Sequence, residues 1–174
     1  KKDFTATNIL IIITVLMYII QINIPKGGLL FGLNLYFLVY DFWWQPLSTI
    51  FAHGGIAHLG MNMFVLWQFG NLIERFRGVK ELVALYLISG LLTSILSFAY
   101  IFYIDNQVNL VGASGAICAL LGYVAYYDKA QRNGIITWVL LISVAPLIIG
   151  LPIAWYAHFI GLAVGFLYAI IRKR

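Results

Sequence analysis

The sequence predicts an all-α integral membrane protein. It forms a bundle of six transmembrane helices with a long interfacial first outer loop, in one domain over residues 1–174. Three observations lead there. Of the 174 residues, 63% are hydrophobic and only 10% are charged, a balance that soluble domains of this size do not show. The charges sit in short clusters that leave uncharged runs of spanning length. The basic residues collect on one side of the resulting arrangement.

The spans follow in chain order. Residues 4–25 carry no charge and give span 1 over 4–24. Residues 42–73 are also uncharged, and their second half gives span 2 over 55–73. Span 3 covers 82–103, and span 4 covers 111–127 after the polar Asp105-Asn106-Gln107. Residues 133–171 are 39 uncharged residues, enough for two spans, at 134–149 and 153–171. Pro146, Gly150 and Pro152 are expected to break that run into a tight outer turn. The first outer loop, about 25–54, is dense in aromatics such as Tyr36, Tyr40, Trp43 and Trp44, which suit a segment lying in the membrane interface.

Basic residues test the count. Ten of the 11 fall before span 1, between spans 2 and 3, between spans 4 and 5, or after span 6, and only Lys26 falls on the other side. The positive-inside rule then places both termini in the cytoplasm. Five or seven spans would destroy this segregation. It also removes the nucleic-acid reading that a net charge of +5 could suggest. The first apolar run is long and lacks a small-residue cleavage site, so it is expected to be a span rather than a cleaved leader. The single cysteine, Cys118, lies in an apolar helix and forms no internal disulfide.

Depth brings four polar residues into one layer. Ser114 precedes Asp128 by 14 residues, and His158 precedes Arg172 by 14. At 1.5 Å per residue both lie roughly 21 Å above the cytoplasmic edge of a core about 30 Å thick. On span 2, His58 and Asn62 lie 16 and 12 residues before Glu74 and bracket the same height. Small residues allow close helix approach in lipid. Span 6 offers Ala157, Gly161 and Gly165, and span 4 offers Gly115, Ala119 and Gly122. Gly161-x-x-x-Gly165 alone is generic helix packing. Beside two reactive residues at matched depth, it lets those residues meet.

The expected chemistry is that of a serine hydrolase. Ser114 is the candidate nucleophile and His158 its general base, then the acid for the leaving amine. All six acidic residues fall at span ends or in loops, so a dyad without a carboxylate is expected, with His158 oriented by packing or a neutral hydrogen bond. His58 and Asn62 share a helix face and suit an oxyanion hole, joined by the Ser114 backbone N–H. Gly112 lets a substrate backbone approach closely. His53 is expected to be a loop or rim histidine that helps retain water, without a chemical role. The three histidines and Cys118 lack the spacing and the deep carboxylate of a metalloprotease or a haem site, so no metal and no cofactor are expected.

His58-x-x-x-Asn62, Gly112-x-Ser114-Gly115 and Ala157-His158-x-x-Gly161-x-x-x-Gly165 together resemble the rhomboid family of intramembrane serine proteases, most of all its compact six-span bacterial form, the GlpG type. The resemblance runs from about Trp43 to Gly165. It implies a Ser114–His158 dyad open to water from the outer side, with His58, Asn62 and the Ser114 N–H as oxyanion hole. It implies single-span transmembrane proteins as substrates and partners, cut near the outer end of their helix, in a bacterial inner membrane. It also implies a structural charged cluster of Glu74 with Arg75 or Arg77, and a part for span 5 in admitting substrate. Three departures stand out. Trp43-Trp44 replaces the Trp-Arg that members often carry. Cys118 stands where many have a tyrosine stacked on the histidine. The sequence opens on span 1, whether an N-terminal cytoplasmic domain is naturally absent or was removed. Gly112, Ala113 and Gly115 would roof a narrow site that prefers small residues. The competing readings are a catalytically inactive rhomboid-like binder of membrane proteins, and a small transporter, which would need broken helices in paired halves and a charge at depth.

Overall fold

The computed structural model describes residues 5–172. Its described residues form nine α-helices: α1 (Ala6–Asn23), α2 (Gly27–Phe31), α3 (Tyr36–Val39), α4 (Gln45–Ser48), α5 (Ile56–Arg77), α6 (Val79–Tyr103), α7 (Ser114–Tyr127), α8 (Lys129–Ile148) and α9 (Trp155–Ile171). Six of these helices, α1, α5, α6, α7, α8 and α9, overlap in sequence with the six stretches expected to span. By length and composition α1, α6 and α8 are each apolar and long enough to cross a membrane, while α7 and α9 are apolar but shorter. The molecule is a membrane protein.

One boundary differs clearly from the sequence reading. Helix α8 starts at Lys129 rather than 134, because the Asp128 carboxylate caps it, accepting from the backbone N–H of Ala130 (3.0 Å) and Gln131 (3.1 Å). Those bonds hold the exposed Asp128 carboxyl below its usual pKa. Pro146 lies inside α8, which ends at Ile148, one residue short of the expected 149. The turn expected at Gly150 is present, with φ +75°.

The bundle is apolar outside, and its interior sets buried polar side chains among an apolar core. Helix α6 buries Ser89, Gly90, Thr93, Ser94 and Ser97 along one face and exposes Ile88, Leu92, Ile95 and Leu96 on the other. In lipid, hydrocarbon side chains gain little by facing inward, so small and hydroxylated residues mediate contact between helices. Helix α1 repeats the pattern, with Thr7, Thr14 and Gln21 buried. Its N-terminus is held by the Glu74 carboxylate, which accepts from the N–H of Ala6 (3.0 Å) and Thr7 (2.9 Å), where the helix dipole favours negative charge.

Helix α7 is the central post, with every residue from Gly115 to Ala125 buried. Its most extensive pairing is with α9. The carbonyl oxygens of Gly115 and Ala119 lie where a Cβ on Gly161 or Gly165 would stand. Gly115 also faces α6, where an added Cβ would come within 2.9 Å of Thr93 Cγ2. At the other end, Glu81 ties three helices together. It accepts from Tyr123 Oη (3.1 Å) and pairs with Arg172 (3.0 Å), while Arg77 Nε donates to Tyr123 Oη (2.8 Å). The carboxylate that joins α6, α7 and the end of α9 is Glu81, while Glu74 serves the start of α1.

Candidate active site

Helix α7 begins at Ser114, and the preceding segment positions it. Non-helical backbone at membrane depth needs protein partners for its polar groups. Here they come from the first outer loop. Leu33 and Leu110 exchange backbone hydrogen bonds (2.8 and 2.9 Å), Gly112 N–H donates to Thr49 O (3.0 Å), and Thr49 Oγ1 donates to Leu110 O. The loop is itself tied down. Trp44 Nε1 donates to Leu30 O (3.0 Å), Gln45 Nε2 to Leu29 O (2.9 Å) and Ser48 Oγ to Phe31 O (2.7 Å). These bonds anchor the loop where Trp43-Trp44 left its tether open.

The close contact of α7 with α9 sets His158 beside Ser114. Nε2 of His158 lies 3.1 Å from Ser114 Oγ, although the residues are 44 apart in sequence. On its other side, Nδ1 of His158 lies 3.0 Å from Ser143 Oγ of α8. His158 is buried and Ser114 is half-buried. Ser114 lines a cavity shared with Thr49, Thr93, Ser94, Gly112 and Ala157. No side chain caps the N-terminus of α7, which leaves its first N–H groups and the positive end of its dipole facing the site.

His58 and Asn62 stand over Gly112, two residues from Ser114. A Cβ on Gly112 would fall 2.9 Å from His58 Nε2 and 3.5 Å from Asn62 Nδ2. Gly112 also has φ +129°, so a side chain is excluded by conformation as well as by space. The room it saves is occupied by these two side chains, next to the serine.

His53 lies in the loop before α5, one of the two places expected for it, but it is buried, at 1% exposure. The Gln21 amide of α1 pins its backbone from both sides (2.8 and 2.9 Å). Its Nδ1 lies 3.2 Å from Phe51 O, a group that only accepts, so Nδ1 carries the proton. Nε2 is then an acceptor, facing Asn62 Nδ2 at 3.0 Å and Ala113 N at 3.5 Å. One amide proton of Asn62 is thereby fixed, and the other is free of this bond. Sequence reasoning missed both His53 and Ser143. Among the described residues no group of three His, Cys, Asp or Glu could hold a metal ion.

The rhomboid domain model matches residues 40–174. This chain belongs to the rhomboid family. Rhomboid relatives include rhomboid protease GluP of Bacillus subtilis, 37% identical over 91 residues, or 52% of this chain and 17% of that protein. RHOMBOID-like protein 4 of Arabidopsis thaliana is 35% identical over 74% of this chain and 34% of its own length. Rhomboid protease GlpG of Haemophilus influenzae is 30% identical over 75% of this chain and 70% of its own. The chain thus spans well under half of the first two of these rhomboid proteins. Cys118 lies one turn below the Ser114–His158 contact, buried against Gly161, where its small side chain suits the close approach of α7 and α9.

Proposed function

We propose that this protein is an intramembrane serine endopeptidase. Ser114 Oγ attacks the carbonyl carbon of a peptide bond while His158 Nε2 takes its proton. The tetrahedral oxyanion is met by the free Asn62 N–H, the His58 ring and the Ser114 backbone N–H at the head of α7. The imidazolium then protonates the departing amine, and water repeats the cycle on the acyl-enzyme. The observation that carries this reading is the 3.1 Å contact between His158 Nε2 and Ser114 Oγ, in a family with protease-named members.

In this reading α1, α5, α6, α7, α8 and α9 are the six spans of a single domain. Both termini are cytoplasmic in a bacterial inner membrane, and the first outer loop rests in the interface. The 14 residues of α7 cover about 21 Å of a core about 30 Å thick, which sinks Ser114 beneath the outer surface. The substrates are single-span membrane proteins with small residues at the cut. Gly112, Gly115 and Ala157 leave the cavity beside Ser114 narrow.

The test is cleavage of a single-span substrate in proteoliposomes, with the cut site mapped by mass spectrometry. Ser114→Ala should abolish cleavage, and a fluorophosphonate should label wild-type protein at Ser114. A folded wild-type protein that neither cleaves nor labels would instead be a membrane-protein binder.

A further inference from the structure

We infer that Ser143, on α8, is a positioning residue that holds His158 in the tautomer and orientation general-base catalysis needs. The inference rests on the function proposed above and concerns the same site. It starts from counting protons. Ser143 Oγ lies 2.6 Å from Val139 O and 3.0 Å from His158 Nδ1. A hydroxyl has one proton to give. The Val139 carbonyl can only accept, and the short distance places the Ser143 proton there. Towards the imidazole, Ser143 Oγ is therefore an acceptor, and Nδ1 must carry the ring's proton. A neutral histidine protonated at Nδ1 has its lone pair on Nε2, the atom 3.1 Å from Ser114 Oγ. The chain from Val139 O through Ser143 and His158 to Ser114 runs in one direction, and it ends with Ser114 as donor to Nε2.

The site has no carboxylate to do this. Among the described residues the acidic side chains lie at helix ends and in loops. A backbone carbonyl relayed through a serine replaces the carboxylate with a neutral group. It selects the tautomer without adding a negative charge at depth, where an ionised group is costly. The placement on α8 follows a register. The buried residues of α8 are Ile135, Val139 and Ser143, spaced by four along a single stripe, and Ser143 is the outermost. Ser143 is fully buried and His158 is buried, so their contact lies inside the protein.

The experiment compares Ser143→Ala and Ser143→Thr with wild type by the rate of fluorophosphonate labelling at Ser114 and by cleavage kinetics in proteoliposomes. Ser143→Ala should slow labelling and lower kcat about tenfold, equivalent to about 1.4 kcal/mol, with KM unchanged. Ser143→Thr keeps a hydroxyl that can bond the same carbonyl, and it should recover most of the rate. A folded Ser143→Ala that labels as fast as wild type overturns the inference and leaves the enzyme reading standing. Wild-type protein that does not label overturns both. A second measurement needs no variant at Ser143. In protein labelled with ¹⁵N-histidine, with His158→Ala to assign the signal, His158 should be protonated at Nδ1 near neutral pH. Protonation at Nε2 instead overturns the inference.

Discussion

A single methyl group at residue 161 should separate the two candidate reacting side chains. The Gly115 carbonyl oxygen occupies the place a Cβ on Gly161 would take, and Cys118 Cβ lies 3.2 Å from it. Neither neighbour is the loose end of a side chain, so Gly161→Ala must push α9 away from α7 by roughly 1 Å to restore ordinary contact. His158 lies three residues from Gly161 on the same helix, and its Nε2 would move from 3.1 Å to beyond hydrogen-bond reach of Ser114 Oγ. A misplacement of about 1 Å costs on the order of 10²-fold in rate, and overpacking a tight contact costs about 1–3 kcal/mol of stability. The assay is cleavage of a single-span substrate in proteoliposomes alongside thermal unfolding in detergent. Gly60→Ala is the control. Gly60 is helical and has nothing within 4 Å of an added Cβ, so alanine there should keep activity and raise stability by up to about 1 kcal/mol. A folded Gly161→Ala that cleaves at the wild-type rate would refute the argument from helix approach.

Three further outcomes follow from the site and its supports. Gly112→Ala forces a side chain into φ +129° and onto the His58 ring, and kcat should fall by about 10²–10³-fold, as for loss of an oxyanion donor; parallel unfolding curves show whether the fold survives. His53→Ala strips the partner from Asn62 and from Ala113 N, and should cost about 1–3 kcal/mol in thermal stability together with a measurable loss of kcat. Asp128 has its carboxyl pKa lowered in the folded protein. Its contribution to holding the start of α8 is therefore complete above the unfolded carboxylate value of about 3.9 and is lost as pH falls through the lower folded value. Hydrogen exchange at Ala130 and Gln131 should accelerate over that acid range in wild type, beyond the intrinsic pH trend, and not in Asp128→Asn.

The sequence carried the helical membrane class and the family because both depend on features spaced along the chain: clustered charges, long apolar runs, and motifs in a fixed order. It also aligned Ser114 and His158 by counting residues from the nearest cytoplasmic charge, and the structure has them in contact. The same count reaches Ser143, which lies 14 residues beyond Lys129. It was overlooked because a lone serine in an apolar run usually bonds its own helix, and its partner on α9 is set by tertiary contact alone. His53 was misjudged for a related reason. Its burial depends on Gln21, 32 residues earlier, whose amide closes over the loop backbone. The start of α8 was the weakest boundary of the reading, since the Asp128 cap begins the helix five residues early.

The central post has a consequence for how such a protein can vary. Helix α7 touches other helices on every side, while the residues of α1, α6 and α8 that meet hydrocarbon take no part in holding Ser114 or His158. Its outer belt can therefore be retuned to a thicker, thinner or more fluid bilayer by exchanging one branched aliphatic for another, without disturbing the interior. Adaptation to a new lipid environment and preservation of the inner machinery draw on almost separate sets of residues.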